Sequence, residues 1–318
     1  MGAIVTWTVL DLGPLPHDGV ERWGGDPRID RVIRVENPAP SGRRFGSRAL
    51  GLGADALRVA LRARLRSRPN AVIAMNPWTA VCAKVIGLRK VCVVGLYAIE
   101  GGRSWQLLRT VLRSSPVVTL SRHEAERWRA AGGRARAVRY GATFASAPVA
   151  SSATTSARLN IFVGGSSDRD RSKIAELAEA VEASQDARLV VAAGGDRESD
   201  SGRVRYCAAL SSADFSAEVE RSDIVFLPLS DNGRAAGHMV LVEALQRGKP
   251  VVATWVAGMN EYFDGDFVRQ AEADLLPQLR DTAARFATRS DAVKDYWRSD
   301  YSKAAFAARI LDALEEMS

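Results

Sequence analysis

Short apolar runs alternate with stretches of helical periodicity along nearly the whole chain, and no other feature limits the fold as much. Ala3–Leu10, Arg31–Val35, Ala71–Met75, Lys90–Leu96 and Pro116–Leu120 read as strands in the first half. Leu159–Val163, Arg188–Ala193, Val204–Cys207, Ile224–Pro228 and Pro250–Ala253 read the same way in the second. The spacing predicts helices over Ala54–Arg66, Ala80–Ile86, Trp105–Arg113, Arg122–Ala131, Ile174–Ala183, Ala217–Arg221 and Val240–Arg247. Strand and helix in strict alternation build βαβ units, so the expected class is α/β, with parallel sheets covered by helices on both faces. The stretch "SAPVASSATTSAR", Ser146–Arg158, is small, polar and aperiodic, which marks a linker. The expectation is therefore two Rossmann-like, doubly wound domains, residues 1–150 and 151–318, facing a cleft. With 318 residues and 47% apolar content, each half can bury its own core. Beyond Asp291 the sequence is helical again, in "AVKDYW" and "SKAAFAARILDALEEM".

Ligands of such sheets bind beyond the carboxyl ends of the strands, where helix N-termini present free N–H groups. The polar residues that follow strands are thus the site candidates. After "LNIFVGG" comes "SSDRDRSK", in which Gly164 and Gly165 admit a ligand to the backbone, Ser166 or Ser167 can cap the next helix, and Arg169, Arg171 and Lys173 supply cations. Phosphate suits that combination, although an ordinary capped loop with solvated charges has the same composition. The G-x-G-x-x-G spacing of nicotinamide sites is absent. In "GHMVLVEALQRGKPVVAT", Gly237–Thr254, Glu243 is the one carboxylate among apolar positions. Buried without partners it would cost several kcal/mol. It therefore binds ligand hydroxyls such as those of a ribose, or it stands on the surface paired with Arg247 one turn later.

Composition narrows the partners. Residues 1–150 hold 24 Lys+Arg against 10 Asp+Glu, and residues 151–318 hold 20 against 27, so the halves have opposite sign. The basic half suits an anionic acceptor or a membrane surface. "ADALRVALRARLRSR", from Ala54 to Arg68, reads as a basic amphipathic helix, which fits peripheral contact with anionic lipid and equally fits any surface helix. Nucleic acid is not expected, because no aromatic residues interleave with the basic run. Cys82, Cys92 and Cys207 are too widely spaced for a disulfide framework or a metal site. No apolar run reaches the ~18 residues that span a bilayer, and Met1–Leu10 lacks signal-peptide flanks. A cytoplasmic protein, in a reducing compartment, is the expectation.

The segment "RSDIVFLPLSDNGRAAGHMVLVEALQRGKPVVATWVAGMNEYFDG" resembles the donor-binding segment of GT-B glycosyltransferases, especially the retaining family four. "PVVTLSRHEAERWRAAGGRARAVRYGA" is similar to the end of that family's acceptor domain, "IFVGGSSDRDRSKIAELAEAV" to the opening of its donor domain, and "YSKAAFAARILDAL" to its closing helix, which returns to the first domain. The likeness is specific from about Pro116 onward. It implies an acceptor domain followed by a donor domain, and transfer from a nucleotide-diphosphate sugar (UDP, GDP or dTDP) to an acceptor hydroxyl. Retention of configuration is a further implication, while no metal or other cofactor is expected, because Arg169, Lys173 and helix N-termini can stabilise the diphosphate and no carboxylate cluster suggests a metal. The acceptor would be a small molecule, a lipid-linked sugar or a glycan.

Residue by residue, the resemblance implies that Glu243 binds the donor ribose and that Arg169 and Lys173 neutralise the diphosphate. It implies that backbone N–H groups around Gly237, His238, Met239 and Val240 touch phosphate or sugar, and that the turn near Cys207 lies close to the base. The family places a glycine loop after its first strand, here "DLGPLPHDGVERW", which makes Gly13, His17 and Asp18 cleft candidates, with His17 as general base and Asp18 beside it if the reaction inverts. Asn76, Trp78 and Glu100 follow strands in the first half and are acceptor-pocket candidates. One departure stands out. Eight positions before Glu243, where the family carries a second acid that contacts the transferred sugar, this chain has Ala235. Asp231, Asn232, Arg234 and His238 are the nearby polar residues that could replace it. Its loss also suits a non-catalytic nucleotide-sugar binder, and the two-domain plan also serves nucleotide-sugar epimerases.

Overall fold

The computed structural model describes residues 6–12, 23, 26–34, 45–66, 69–145, 158–165, 167–192, 197–199, 201–208 and 210–317. These divide between one unit formed by Met1–Arg139 with Phe306–Ser318 and another formed by Tyr140–Ala305.

The first unit runs β1 (Trp7–Asp11), β2 (Ile29–Arg34), α1 (Phe45–Arg66), β3 (Ala71–Ala74), α2 (Pro77–Val85), β4 (Lys90–Val94), α3 (Arg103–Leu112), β5 (Pro116–Thr119), α4 (Arg122–Ala130) and β6 (Arg134–Ala137). Its sheet has the order β2-β1-β3-β4-β5-β6, and every pair is parallel. Strands covered on both faces carry unbroken apolar runs, as in "AVIA" of β3, which is fully buried. Val59, Ala60 and Ala63 of α1 close one core with Ala80 and Ala83 of α2, Leu108 of α3, Trp128 of α4, and Val72, Val91 and Val117 of the sheet. Helix starts follow local chemistry. Asn76 Oδ1 accepts from Trp78 N at 2.9 Å ahead of Pro77, and Ser121 Oγ accepts from Glu124 N at 3.2 Å. Strand β6, "RARA", was not among the expected strands. Alanine and arginine are weak strand formers, and β6 exists because β5 offers its free edge.

The second unit runs β7 (Leu159–Gly164), α5 (Arg171–Ala183), β8 (Ala187–Ala192), β9 (Arg197–Glu198), β10 (Val204–Tyr206), α6 (Ser212–Arg221), β11 (Ile224–Leu227), α7 (His238–Gln246), β12 (Val251–Ala253), a 3-10 helix (Ala257–Tyr262), β13 (Val268–Gln270), α8 (Leu275–Phe286) and α9 (Ser290–Asp300). The sheet order is β13-β12-β11-β7-β8-β10-β9, parallel except for the short antiparallel β9. Alternation along β7 sends Ile161 and Val163 to one face, with Ile174 and Leu177 of α5 and Leu279 of α8. Phe162 goes to the other, with Leu241 and Leu245 of α7 and Val293 of α9. Neither β13 nor α8 was expected. Pro277 argues against a helix, but it falls in the first turn of α8, where no N–H donor is required.

The last helix, α10 (Lys303–Glu316), enters the first unit from Phe306 onward. There Arg28 bonds Asp312 and Glu315, each at 3.0 Å, and Arg309 donates to the Arg139 carbonyl at 3.1 Å. No helix among the described residues is long and apolar enough to cross a membrane. The linker assigned to Ser146–Arg158 lies outside the described residues except for Arg158.

Candidate functional site

In the second sheet the chain runs outward from β7 through β8 and β10 on one side and from β11 through β12 and β13 on the other. The strand order therefore reverses between β7 and β11, which is where an open α/β sheet binds ligands. The loops leaving these two strands are joined to each other. Asp170 N donates to Pro228 O and Ser230 N to Asp168 O, both at 3.0 Å. Asp168, at φ 54, accepts from Asn232 Nδ2 at 2.7 Å and from Arg234 Nε at 2.9 Å. The exit of β12 joins in, since Thr254 Oγ1 accepts from Leu229 N at 2.6 Å and donates to its carbonyl at 2.9 Å. Asp231 also accepts from Ala257 N at 3.3 Å.

Within this assembly Arg169 curls back on its own loop, donating to Gly164 O and Ser167 O at 2.8 Å each. Gly165, at φ 89, leaves the guanidinium its space, because a Cβ there would lie 2.4 Å from Arg169 Nη2. Burial pushes the Arg169 pKa down to about 10, so it stays cationic at neutral pH. Gly164 makes room for the ring of Phe215, which stands edge-on to Phe162. The cap of α5 differs from expectation. Asp170 fills that place, its carboxylate accepting from Ser172 N at 2.9 Å and Lys173 N at 3.2 Å, because α5 starts at Arg171 and only residue 170 can reach those donors. Ser167 is exposed, and Ser166 lies outside the described residues. Lys173 points along the helix surface to Glu176 at 2.7 Å.

Gly237, at φ 80, turns the chain into α7, whose first N–H groups, on His238, Met239 and Val240, precede the intrahelical ladder that begins with Leu241 N to Gly237 O. Met239 is exposed and Val240 buried. The His238 ring is buried against Tyr262, centroids 4.3 Å apart, with the Gly258 backbone beside it. Burial drives its pKa down to about 3, so the imidazole is neutral, and its Nε2 has no hydrogen-bond partner in the protein.

Glu243 is the chemical centre of α7. Its residue is 5% exposed, and every hydrogen bond it accepts falls on Oε1: from Ser216 Oγ of α6, from Arg247 Nη2 at 3.1 Å and from Arg247 Nε at 3.3 Å. Arg247 is equally buried and also donates to Ala145 O at 3.1 Å, with Glu220 at 3.4 Å. Pairing with Arg247 and burial thus occur together, where the sequence offered them as alternatives.

The remaining candidates are scattered. Cys207 is buried at the end of β10, its N–H on Val191 O at 2.8 Å. In the first unit Asn76 lies beyond β3, next to β1 in the sheet, and caps α2, while Trp78 packs half-buried on that unit's core. Glu100 pairs with Arg127 of α4 at 2.5 Å. Gly13, His17 and Asp18 lie outside the described residues. Among the described residues no group of three or more His, Cys, Asp or Glu side chains could hold a metal ion.

Residues 158–293 match the family model described as glycosyl transferases group 1. No curated protein matches the chain in sequence. Among solved structures, Anabaena HepE in complex with UDP is similar over 98% of this chain and 100% of its own, at 14% identity and a TM-score of 0.64. Sucrose-phosphate synthase from Thermosynechococcus elongatus is similar over 98% and 88%, at 14% identity and a TM-score of 0.62. A Listeria monocytogenes protein described as a UDP-N-acetylglucosamine 2-epimerase is similar over 99% and 97%, at 13% identity and a TM-score of 0.55. The fold is GT-B, and the match to group 1 glycosyltransferases covers residues 158–293 of the second unit.

Sequence reasoning missed several residues that organise the second unit. Ser216 sits 27 positions before Glu243, and nothing in "SADFSAEVER" ties it to a carboxylate on another helix. Asp168 reads as one more solvated charge until the sheet order brings Arg234 against it. Only Arg247 had a local signal, its spacing of four from Glu243.

Proposed function

We propose that the chain transfers a sugar from a nucleoside diphosphate sugar to an acceptor hydroxyl, with the second unit holding the donor and the first the acceptor. The observation that carries this reading is Glu243, a buried carboxylate whose protein partners all hold Oε1. That arrangement fixes the group in place and leaves Oε2 for a pair of ribose hydroxyls, each bond contributing about 1.5–3 kcal/mol. The free N–H groups of His238, Met239 and Val240, together with Arg169 and Lys173, suit a diphosphate and the charge that grows on it as the sugar departs. Those cations and dipoles do the work that a divalent metal does elsewhere, so transfer proceeds without one, and with retention as in the family the sequence resembles. HepE was solved with UDP and with UDP-glucose, which makes a uridine donor the first to try. The acceptor is a lipid-linked sugar or glycan that suits the basic first half.

Ala235 favours a second reading, in which the protein binds a nucleotide sugar and transfers nothing. Arg234, next to it, is already engaged by Asp168. Both readings, and an epimerase, part company in one series. A thermal-shift panel of UDP, GDP, dTDP, ADP and NAD comes first. Saturation at a hundred times Kd adds roughly 2.7 kcal/mol, a rise of about 5–10 °C, with one nucleoside diphosphate. Glu243→Gln should weaken that nucleotide about tenfold. The matching nucleotide sugar is then incubated with acceptors. Transfer supports the first reading, binding without turnover the second, and an isomerised donor sugar an epimerase. No shift with any nucleoside diphosphate would overturn the donor-site assignment.

A further inference from the structure

We infer that the outward face of α1 seats the first unit on an anionic lipid surface, independently of the transfer reading. Ala56, Val59, Ala60 and Ala63 are fully buried and turn one side of α1 toward the core. The opposite side carries Leu57, Leu61 and Leu65, 41%, 39% and 79% exposed. Residues four apart follow one another along a helix surface, so the three leucines form a continuous ridge facing water. The end of α2 extends it with Val85, 74% exposed and one residue from the Ile86 carbonyl that Arg64 holds.

Cations flank the ridge. At about 100° per residue, Arg64 falls on one edge and Arg58 and Arg62 on the other, and all three are exposed. Asp55, the one acid in Phe45–Arg66, is buried and paired with Arg58 at 2.9 Å. Arg62 makes no ion pair with any described residue. The unit as a whole holds 25 Lys+Arg against 13 Asp+Glu, or +12.

Leucines between arginines, with no acid on the face, match a headgroup layer: the side chains enter the acyl boundary while the guanidinium groups meet lipid phosphates. A second copy is a poorer occupant, because two such faces would set Arg58, Arg62 and Arg64 against their like. A nucleic acid would find leucines where stacking surfaces are needed.

The test is co-sedimentation of the full chain with vesicles of phosphatidylcholine alone or mixed with phosphatidylglycerol, at low and high salt. Wild type should partition onto the anionic vesicles, weaken at high salt and ignore the neutral ones. Arg62→Gln should lower the partition coefficient about fivefold. Leu61→Ala with Leu65→Ala should lower it about tenfold or more, with the far-UV spectrum and melting temperature unchanged because both side chains are exposed. Failure of the wild type to bind anionic vesicles would overturn the inference. So would leucine variants that bind like wild type, which would move the contact to another face. A dimer that forms without lipid and is lost in the leucine variant would assign the ridge to a second copy instead.

Discussion

Removing the Arg247 guanidinium strikes the buried pair at its most dependent point. The side chains of Glu243 and Arg247 are 7% and 6% exposed, and in Arg247→Met the carboxylate keeps only the Ser216 hydroxyl of its three hydrogen bonds. Breaking a buried pair by deleting one partner costs about 3–5 kcal/mol, since the remaining charge stays desolvated. At about 2–4 °C per kcal/mol for a unit of this size, the melting temperature should fall by roughly 10 °C. Glu243→Gln should cost less, about 1–2 kcal/mol, because the amide still accepts from Ser216 and Arg247 keeps Glu220 and the Ala145 carbonyl. Glu243→Leu combined with Arg247→Met removes both charges and should recover most of the loss. Urea unfolding followed by circular dichroism gives all three values. If Arg247→Met lies within about 1 kcal/mol of wild type, or the double variant is no better than the single, the pair is not a coupled, desolvated unit. Arg247 would then not be what fixes Glu243 for a ligand.

Two further outcomes follow from the same region. His238 has a folded pKa of about 3 against an ordinary value of 6.5, so the unfolded chain takes up a proton that the folded state refuses. Its stabilising contribution is full above pH 6.5 and is lost as pH falls toward 3. Between about pH 6.5 and 5 the wild type should lose about 2 kcal/mol more than His238→Gln in urea unfolding, and equal slopes would show that the ring is accessible to protons. Gly258 sits where a Cβ would lie 2.3 Å from the Arg234 carbonyl oxygen, a backbone atom that cannot step aside cheaply. Gly258→Ala should cost about 1–3 kcal/mol and weaken nucleotide binding in a titration, because the displaced loop leads into α7. Unchanged affinity would separate that loop from the ligand.

Much of the fold is legible in the sequence, because βαβ units impose local rules. Apolar runs such as "AVIA" and "IVFL" must be buried parallel strands wherever helices cover both faces of the sheet. Glu243 was also legible, since one carboxylate in an apolar helix has to be compensated wherever that helix lies. Where pairing energy comes from a neighbour, the residues themselves gave no sign. The strand "RARA" forms because β5 has an open edge, and Asp170 rather than a serine caps α5 because the loop's path decides which oxygen reaches the donors. Ser216 reaches Glu243, and Asp168 reaches Arg234, across separations of 27 and 66 residues. Periodicity and capping act over three or four residues and so are written in the chain, whereas those long-range contacts depend on which strands lie side by side, and that was settled only when the whole sheet assembled.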